Sequence, residues 1–338
     1  MKYARVGESG LVVSRIIYGN AITHGDQIDE TAARECIRAA LDSGITTFDT
    51  ADLYAEGRAE EILGRALAGE RREELVICTK VGRWARPGDP NAGLLSRKHV
   101  TESIDASLRR LGLDHVDLYQ AHRHDPRTPL EETVAAFADV VKSGKAHYIG
   151  VSEWPGDRIR AAARMARDLG VPLVANQSQY SVLWRVIEAD VLPASRESGV
   201  GQIAWMPLAG GALTGKYRAG EAVPADSRAG AGASGAKSIG RWDYLNEKVL
   251  AAVADLAPLA TEAGLTLPQL AIAWVLRTAG VSAAVVGASR PAQLLENAGA
   301  VDVLLDEALV RRVDAAVAAV VRADASLTLD PLGPAARL

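Results

Sequence analysis

Asp49, Tyr54, Lys80 and His122 offer a carboxylate, a phenol, an ammonium and an imidazole at the ends of three short apolar segments. The segments are Phe48-Asp49-Thr50-Ala51 with Tyr54 just behind it, Thr79-Lys80, and Ala121-His122. Together these groups could reduce a carbonyl. Hydride addition leaves an alkoxide that needs a proton, and a phenol can supply it. An unperturbed phenol, with a pKa of about 10, holds its proton too tightly at neutral pH. A nearby ammonium stabilises the phenolate and eases the transfer. A carboxylate beside the lysine keeps it charged and in place. A neutral imidazole can donate a hydrogen bond to the carbonyl oxygen and orient it. The roles follow: Tyr54 as general acid, Lys80 as its tuner, Asp49 as the partner of Lys80, and His122 as the carbonyl-orienting group. Taken singly, each residue has a plainer reading. An Asp at a strand end is often a helix N-cap, and Lys80 could be a surface lysine.

For the four to meet, several strands must deliver their C-terminal ends to one place. The strand-like runs are 15–19, 46–51, 75–80, 116–122, 147–152, 173–179, 202–207 and 283–287. Most are continuously apolar, as in parallel strands buried on both faces. Between them lie amphipathic stretches at 31–43, 101–111, 130–141 and 157–169. Glycine follows closely at Gly44, Gly112, Gly144 and Gly170, a common helix stop. Eight strands alternating with helices, and no Gly-x-Gly-x-x-Gly turn after the first, favour a (β/α)8 barrel over an open doubly wound sheet. In such a barrel catalytic groups gather where the strands end. Three segments fall outside the repeat. Residues 4–13, turning at Glu8-Ser9-Gly10, predict a hairpin that could close the barrel bottom. Residues 219–238, rich in Gly, Ala and Ser, read as a lid after the seventh strand or as a disordered loop. A last helix near 307–321 precedes a tail at 323–338, so that 1–322 form one domain.

Bulk composition excludes several classes. The 338 residues are 48% hydrophobic, enough for a large core, and carry a formal charge of −4. No basic excess is present to hold nucleic acid or an anionic membrane surface. Apolar runs are strand-sized, and the N-terminus lacks the apolar stretch of a signal peptide. Cys36 and Cys78 read as reduced core residues, and His99, His115, His124 and His147 show no metal-ligand spacing. His24 lies in a loop near the pocket mouth without an assigned role. A cytoplasmic protein without a bound metal is expected.

The segment Phe48-Asp49-Thr50-Ala51-Asp52-Leu53-Tyr54, with Gly57, Glu60 and Leu63-Gly64 behind it, resembles the signature of the aldo-keto reductases. Further matches are Gly93-Leu94-Leu95-Ser96-Arg97-Lys98-His99, Leu108-Arg109-Arg110-Leu111, Pro129-Leu130-Glu131-Glu132-Thr133-Val134, Leu267-Pro268-Gln269-Leu270-Ala271-Ile272-Ala273-Trp274 and Gly287-Ala288-Ser289. The resemblance covers about Arg5 to Val321 and is strongest to the branch with the β-subunits of voltage-gated potassium channels and their bacterial relatives. It implies that Asp49, Tyr54, Lys80 and His122 form the family's catalytic tetrad. The channel subunits place Asn where this chain has His122, whereas the enzymatic members keep His.

The resemblance also implies NADP(H), bound without a dinucleotide fold. Gly19, Asn20 and Asp49 would flank the cofactor, and Ser152 and Gln177 would hydrogen-bond the nicotinamide amide. Trp205, followed by Met206, would lie against the nicotinamide face, with core packing as its plainer role. Leu208, Gly210, Lys216 and Arg228 would pass along the pyrophosphate. Gly287, Ser289, Gln293, Glu296 and Asn297 would hold the adenosine end, where the helix after Pro291 offers its N-terminus to a phosphate. With Gln at 293, where many members have Arg, the 2′-phosphate falls to Arg290 and Ser289. Arg290 also reads as an exposed helix-flanking charge.

Ala21, Trp84, Arg123 and Trp154 would line the substrate pocket, or simply pack the loops. Their mixture points to an aromatic or extended aldehyde or ketone rather than a small charged one. Of His122 and His124, alternation on a strand end sends only one inward. Three functions stay in view: a carbonyl reductase, a nucleotide-sensing accessory subunit with little turnover, and a pathway-specific ketoreductase. Relatives in this branch form tetramers or octamers, which leaves a homo-oligomer open.

Overall fold

The computed structural model describes residues 1–83, 88–225, 227–230 and 242–328. Eight parallel strands close a barrel: β3 (Ile16–Gly19), β4 (Thr47–Asp49), β5 (Val76–Val81), β6 (Val116–Ala121), β7 (Ala146–Ser152), β8 (Leu173–Gln179), β9 (Gly201–Trp205) and β10 (Val281–Val286). Each pairs with its neighbour in sequence, and β10 closes the ring onto β3. The strands are buried almost throughout, and every residue of β8 is buried. That burial explains why they read as apolar runs rather than alternating ones.

Helices α1 (Glu30–Asp42), α2 (Arg58–Leu67), α3 (Arg97–Leu111), α4 (Leu130–Lys142), α5 (Gly156–Asp168) and α6 (Val191–Glu197) alternate with the first strands of the barrel. Later in the chain come α7 (Glu247–Glu262), α8 (Leu267–Leu276), α9 (Pro291–Ala298) and α10 (Glu307–Val317). Local chemistry sets their starts. The Asp29 side chain caps α1 by accepting from Ala32 N, and α1 buries Ala33, Cys36, Ile37 and Ala40. Thr266 and Gln269 form a reciprocal capping box on α8, with Pro268 in its first turn. Helix α3 begins at Arg97, earlier than its apolar periodicity indicates, because Ser96 accepts from His99 N and starts the helix one turn sooner. The last helix stops at Val317 rather than near 321, where the chain turns so that Arg322 can pair with Arg185. No single helix among the described residues is long and apolar enough to cross a membrane.

The N-terminal hairpin of β1 (Tyr3–Arg5) and β2 (Val12–Ser14) plugs the barrel. Val6, Leu11 and Val13 pack with Ile17, Cys78, Leu118, Val174 and Ile203 from inside it. At the tip of the plug, Glu8 N donates to Gly199 O at 2.9 Å. Gly7 sits there at φ +56°, and a Cβ on it would stand 2.2 Å from Gly199 O. Trp84 and residues 329–338 of the expected tail lie outside the described residues, as do 226 and 231–238 of the expected lid. Gly7→Ala should destabilise the protein by about 2–4 kcal/mol, from left-handed strain and backbone overlap together. Urea denaturation of the variant beside the parent measures this, and equal midpoints would show that the plug is not tightly seated.

Candidate active site

Strand β4 ends at Asp49, sooner than the apolar run suggests, yet the next residues still track β5. Thr50 N donates to Cys78 O and Asp52 N to Lys80 O. The chain then turns through Tyr54, with Ala55 and Glu56 at positive φ. This turn carries the Tyr54 hydroxyl back over the barrel mouth. Lys80 comes up from β5 with no exposure to water. Its Nζ donates to Asp49 Oδ2 at 2.5 Å, to Thr50 O at 2.8 Å and to the Tyr54 hydroxyl at 3.2 Å. Asp49 Oδ1 accepts from Gln177 Nε2 of β8 at 2.9 Å, so both carboxylate oxygens are bonded. Burial works against the Lys80 charge, but Asp49 and Tyr54 outweigh it and hold its pKa above the ordinary value. An ammonium at neutral pH is the consequence.

His122 completes the group, its ring 5.8 Å from that of Tyr54 at a near-perpendicular 81°. It is buried, and its Nδ1 has no hydrogen-bond partner among the described residues. Burial, then the charges of Arg123, Lys80 and Arg83, keep the imidazole pKa well below its usual value. The ring is therefore neutral at pH 7 and can orient a carbonyl through a hydrogen bond. The neighbouring His124 packs instead against Trp154 at 5.2 Å.

A cavity of about 570 Å³ opens over these groups, within the range of about 300–1,000 Å³ usual for small-molecule sites. Tyr54, Asp49 and His122 line it, while Lys80 stays behind Tyr54. Gly19, Ser152, Gln177, Trp205, Met206, Leu208, Gly210, Lys216, Arg228, Gly287, Ser289, Arg290, Gln293, Glu296 and Asn297 line it too, with Ala21 and Arg123. Two expected residues do not. Asn20 turns into the protein and donates to Ala59 O at 3.1 Å, and Trp154 is packed away at 1% exposure. Gln293 accepts from Ser289 N at 3.0 Å and from its hydroxyl at 3.2 Å, so it shapes the adjoining loop. Trp205 is fixed by a 2.6 Å bond from Nε1 to the buried Glu153 carboxylate. The positive-φ residues other than glycine among those described are Ala55, Glu56, Glu153, Met206, Ala209 and Asp243. Each is within two residues of a cavity-lining side chain, so backbone strain is concentrated at the site.

Sequence reasoning missed Arg83, Gln27, Ser227 and Trp242, all on the cavity wall. The strand-end rule would have found Arg83, two residues beyond β5. Ser227 and Trp242 come from the long segment after β9 and carried no periodic signal. Sequence spacing also hid a cluster at the opposite end of the barrel. Ligand atoms of His115, Asp117 and His147 lie within 4.8 Å of one another there. Asp117 already accepts from Arg72 and from Ile77 N, each at 2.7 Å, which makes the cluster a pin between strand ends.

Two buried histidines make stability depend on pH. Burial holds His24 at about 4, and His122 also titrates well below 6.5 in the fold. Unfolded, both titrate near 6.5, so in acid the unfolded chain takes up protons that the native one refuses. Stability is therefore full above about pH 6.5 and falls as pH drops toward the folded values, by about 1.4 kcal/mol per pH unit for each histidine. Urea denaturation at pH 7.5 and 5.5 should differ by about 2–3 kcal/mol, whereas equal stabilities would mean that both titrate normally.

Comparison with known proteins agrees with this geometry. The profile of the Aldo/keto reductase family matches residues 15–318. A probable voltage-gated potassium channel subunit beta from Arabidopsis thaliana is 43% identical over 309 residues, covering 90% of this chain and 92% of the relative. A protein of the same description from Oryza sativa subsp. japonica is 41% identical over 324 residues, covering 94% and 97%. An eight-stranded parallel barrel with these groups at its mouth, matched along nearly its whole length, belongs to the aldo/keto reductase family.

Proposed function

We propose that this chain reduces aldehydes or ketones to alcohols with NADPH, and that Tyr54 is the general acid. The observation that carries this reading is the buried chain of bonds from Gln177 through Asp49 and Lys80 to the Tyr54 hydroxyl, beside a neutral His122. In this reading the carbonyl oxygen sits between the Tyr54 hydroxyl and the His122 ring. Tyr54 gives up its proton as charge develops on that oxygen. The Lys80 ammonium, already donating to the phenolic oxygen, stabilises the phenolate left behind. Asp49 keeps Lys80 charged and aimed. NADPH, when bound, supplies the hydride.

The cavity suits that cofactor. Among the described lining residues the cations are Arg83, Arg123, Lys216, Arg228 and Arg290, against the carboxylates Asp49 and Glu296. An anionic dinucleotide is therefore favoured. Ser152 and Gln177 would hold the nicotinamide amide, and Trp205 would lie along the ring. Leu208, Gly210, Lys216 and Arg228 would follow the pyrophosphate. Gly287, Ser289, Gln293, Glu296 and Asn297 would surround the adenosine, with Arg290 and Ser289 on the 2′-phosphate.

The names of the similar plant proteins support a second reading, an NADP(H)-binding accessory subunit of a potassium channel with little turnover. Turnover of 4-nitrobenzaldehyde separates the two, since a sensor would bind NADPH with negligible rate. Tyr54→Phe should lower turnover by about 10²–10⁴-fold while leaving NADPH affinity close to that of the parent. Full turnover in the variant would remove Tyr54 from its role. NADPH should quench tryptophan fluorescence more tightly than NADH, and Arg290→Ala should narrow that difference by about tenfold, the scale of one lost charge-assisted contact. Equal weakening of both nucleotides would take Arg290 off the 2′-phosphate.

A further inference from the structure

We propose that His115, Asp117 and His147 form a binding site for a zinc-type divalent ion at the plugged end of the barrel. The site is separate from the cavity and stands whether or not the chain reduces carbonyls. Register brings the three residues together. Val116 of β6 pairs with Ala146 of β7, and Leu118 with Tyr148, which sets Asp117 level with His147 on the adjacent strand. His115 stands two residues before Asp117, at the start of β6, and alternation along a strand turns both to the same side. The ligand atoms of all three lie within 4.8 Å of one another. Sequence spacing suggests a chain without a metal because the two histidines belong to different strands, and only the pairing of β6 with β7 makes them neighbours.

The donor chemistry suits an ion of this class. The two imidazole rings stand 4.4 Å apart by their centroids, tilted by 41°. Neither ring makes a hydrogen bond among the described residues, so each keeps a nitrogen lone pair to offer. The Asp117 carboxylate is already held in place, since Arg72 Nη2 and Ile77 N both donate to its Oδ2 at 2.7 Å. Both bonds fall on one oxygen, which leaves Oδ1 for a ligand. Arg72 is itself fixed by donating to Leu75 O at 2.9 Å and to His115 O at 3.2 Å. One guanidinium thus steadies the carboxylate and the backbone of two of the three residues, as the hydrogen bonds behind metal-ligating carboxylates do. Asp117 and Arg72 also cancel in charge. An ion that depends on carboxylate oxygens, such as Mg²⁺ or Ca²⁺, gains little here, whereas Zn²⁺ or Co²⁺ gains two imidazole nitrogens.

Ligands about 2.0–2.2 Å from a tetrahedral ion stand about 3.3 Å apart. His147 is exposed, and His115 and Asp117 are partly exposed, so rotation of the rings closes the difference without moving the strands. The fourth position falls to water. An ion bound there clips the start of β6 to the start of β7, at the opposite end of these strands from His122 and Ser152. Its effect is on stability.

The test uses the full chain stripped of metal by a chelator. One equivalent of Co²⁺ should give the visible absorption of a tetrahedral site, and Zn²⁺ should displace it, while Mg²⁺ and Ca²⁺ in about hundredfold excess should not. Zn²⁺ at about 100 times its Kd should raise the thermal midpoint by about 4 °C. His147→Gln, at an exposed position, should weaken Co²⁺ binding by about tenfold or more and remove the tetrahedral absorption. His115→Gln should do the same, and the metal-free midpoint of His147→Gln should match that of the parent, so that lost binding is not lost folding. No absorption and no midpoint shift at millimolar metal would overturn the site. So would absorption of six-coordinate Co²⁺ alone, or a tetrahedral signal and midpoint shift that survive unchanged in both variants.

Discussion

Lys80 carries its charge where no water reaches it, and much of the barrel mouth is arranged around that fact. An ammonium in such a place is stable only if its donors are all answered. Here Asp49, Thr50 O and the Tyr54 hydroxyl answer them. Asp49 in turn needs a second donor, and Gln177 reaches it from the far side of the barrel. Three strands distant in sequence are thereby tied together by polar bonds at one level. Removing one partner of such a pair typically costs about 3–5 kcal/mol, because the other charge is left uncompensated. The same constraint keeps Lys80 behind Tyr54, which lines the cavity together with Asp49 and Gln177.

The two ends of the barrel are built on different physics. At the N-terminal end the hairpin inserts apolar side chains among Ile17, Leu118 and Ile203, and the backbone of Gly7 passes too close to Gly199 for any side chain. That end is packed, dry and intolerant of added volume. At the C-terminal end the interior turns polar, the chain adopts left-handed turns at residues other than glycine, and the imidazole of His122 keeps a buried nitrogen unbonded among the described residues. Strain and unsatisfied polarity persist only where surrounding packing enforces them. The closed ring of strands and the plug beneath it supply that enforcement.

Several residues of the signature around Asp49 do no chemistry, and the structure gives each a mechanical task. Glu60 is fully buried, accepting from the Thr79 hydroxyl at 2.5 Å and from Arg110 Nε at 2.6 Å. It thus fastens α2 to α3 and to the strand that carries Lys80. Gly64 lets α2 approach α3 so closely that a Cβ would stand 2.2 Å from Leu111 O. In the sequence these positions stand just behind Asp49 and Tyr54, as part of the same signature. Only packing shows that they brace the elements that carry Asp49, Tyr54 and Lys80, one layer behind those side chains.

The strand count, the alternation with helices, the plug and the four chemical groups were legible in the chain because each is a local property. Continuous apolar runs, glycine stops and residue types at strand ends need no knowledge of distant neighbours. The resemblance to the aldo/keto reductases extended this to the cavity wall, where Ser152, Gln177, Trp205 and Arg228 all lie. What the sequence could not determine was direction and company. Asn20 reads as a cavity residue but spends its amide on Ala59 O. Trp154 reads as a pocket aromatic but is sealed against His124. Arg83 and Trp242 reach the wall unannounced, and His115, Asp117 and His147 meet without any spacing to foretell it. Side-chain direction at a loop or strand end depends on register and on which distant groups must be neutralised, and these are decided only when the barrel closes.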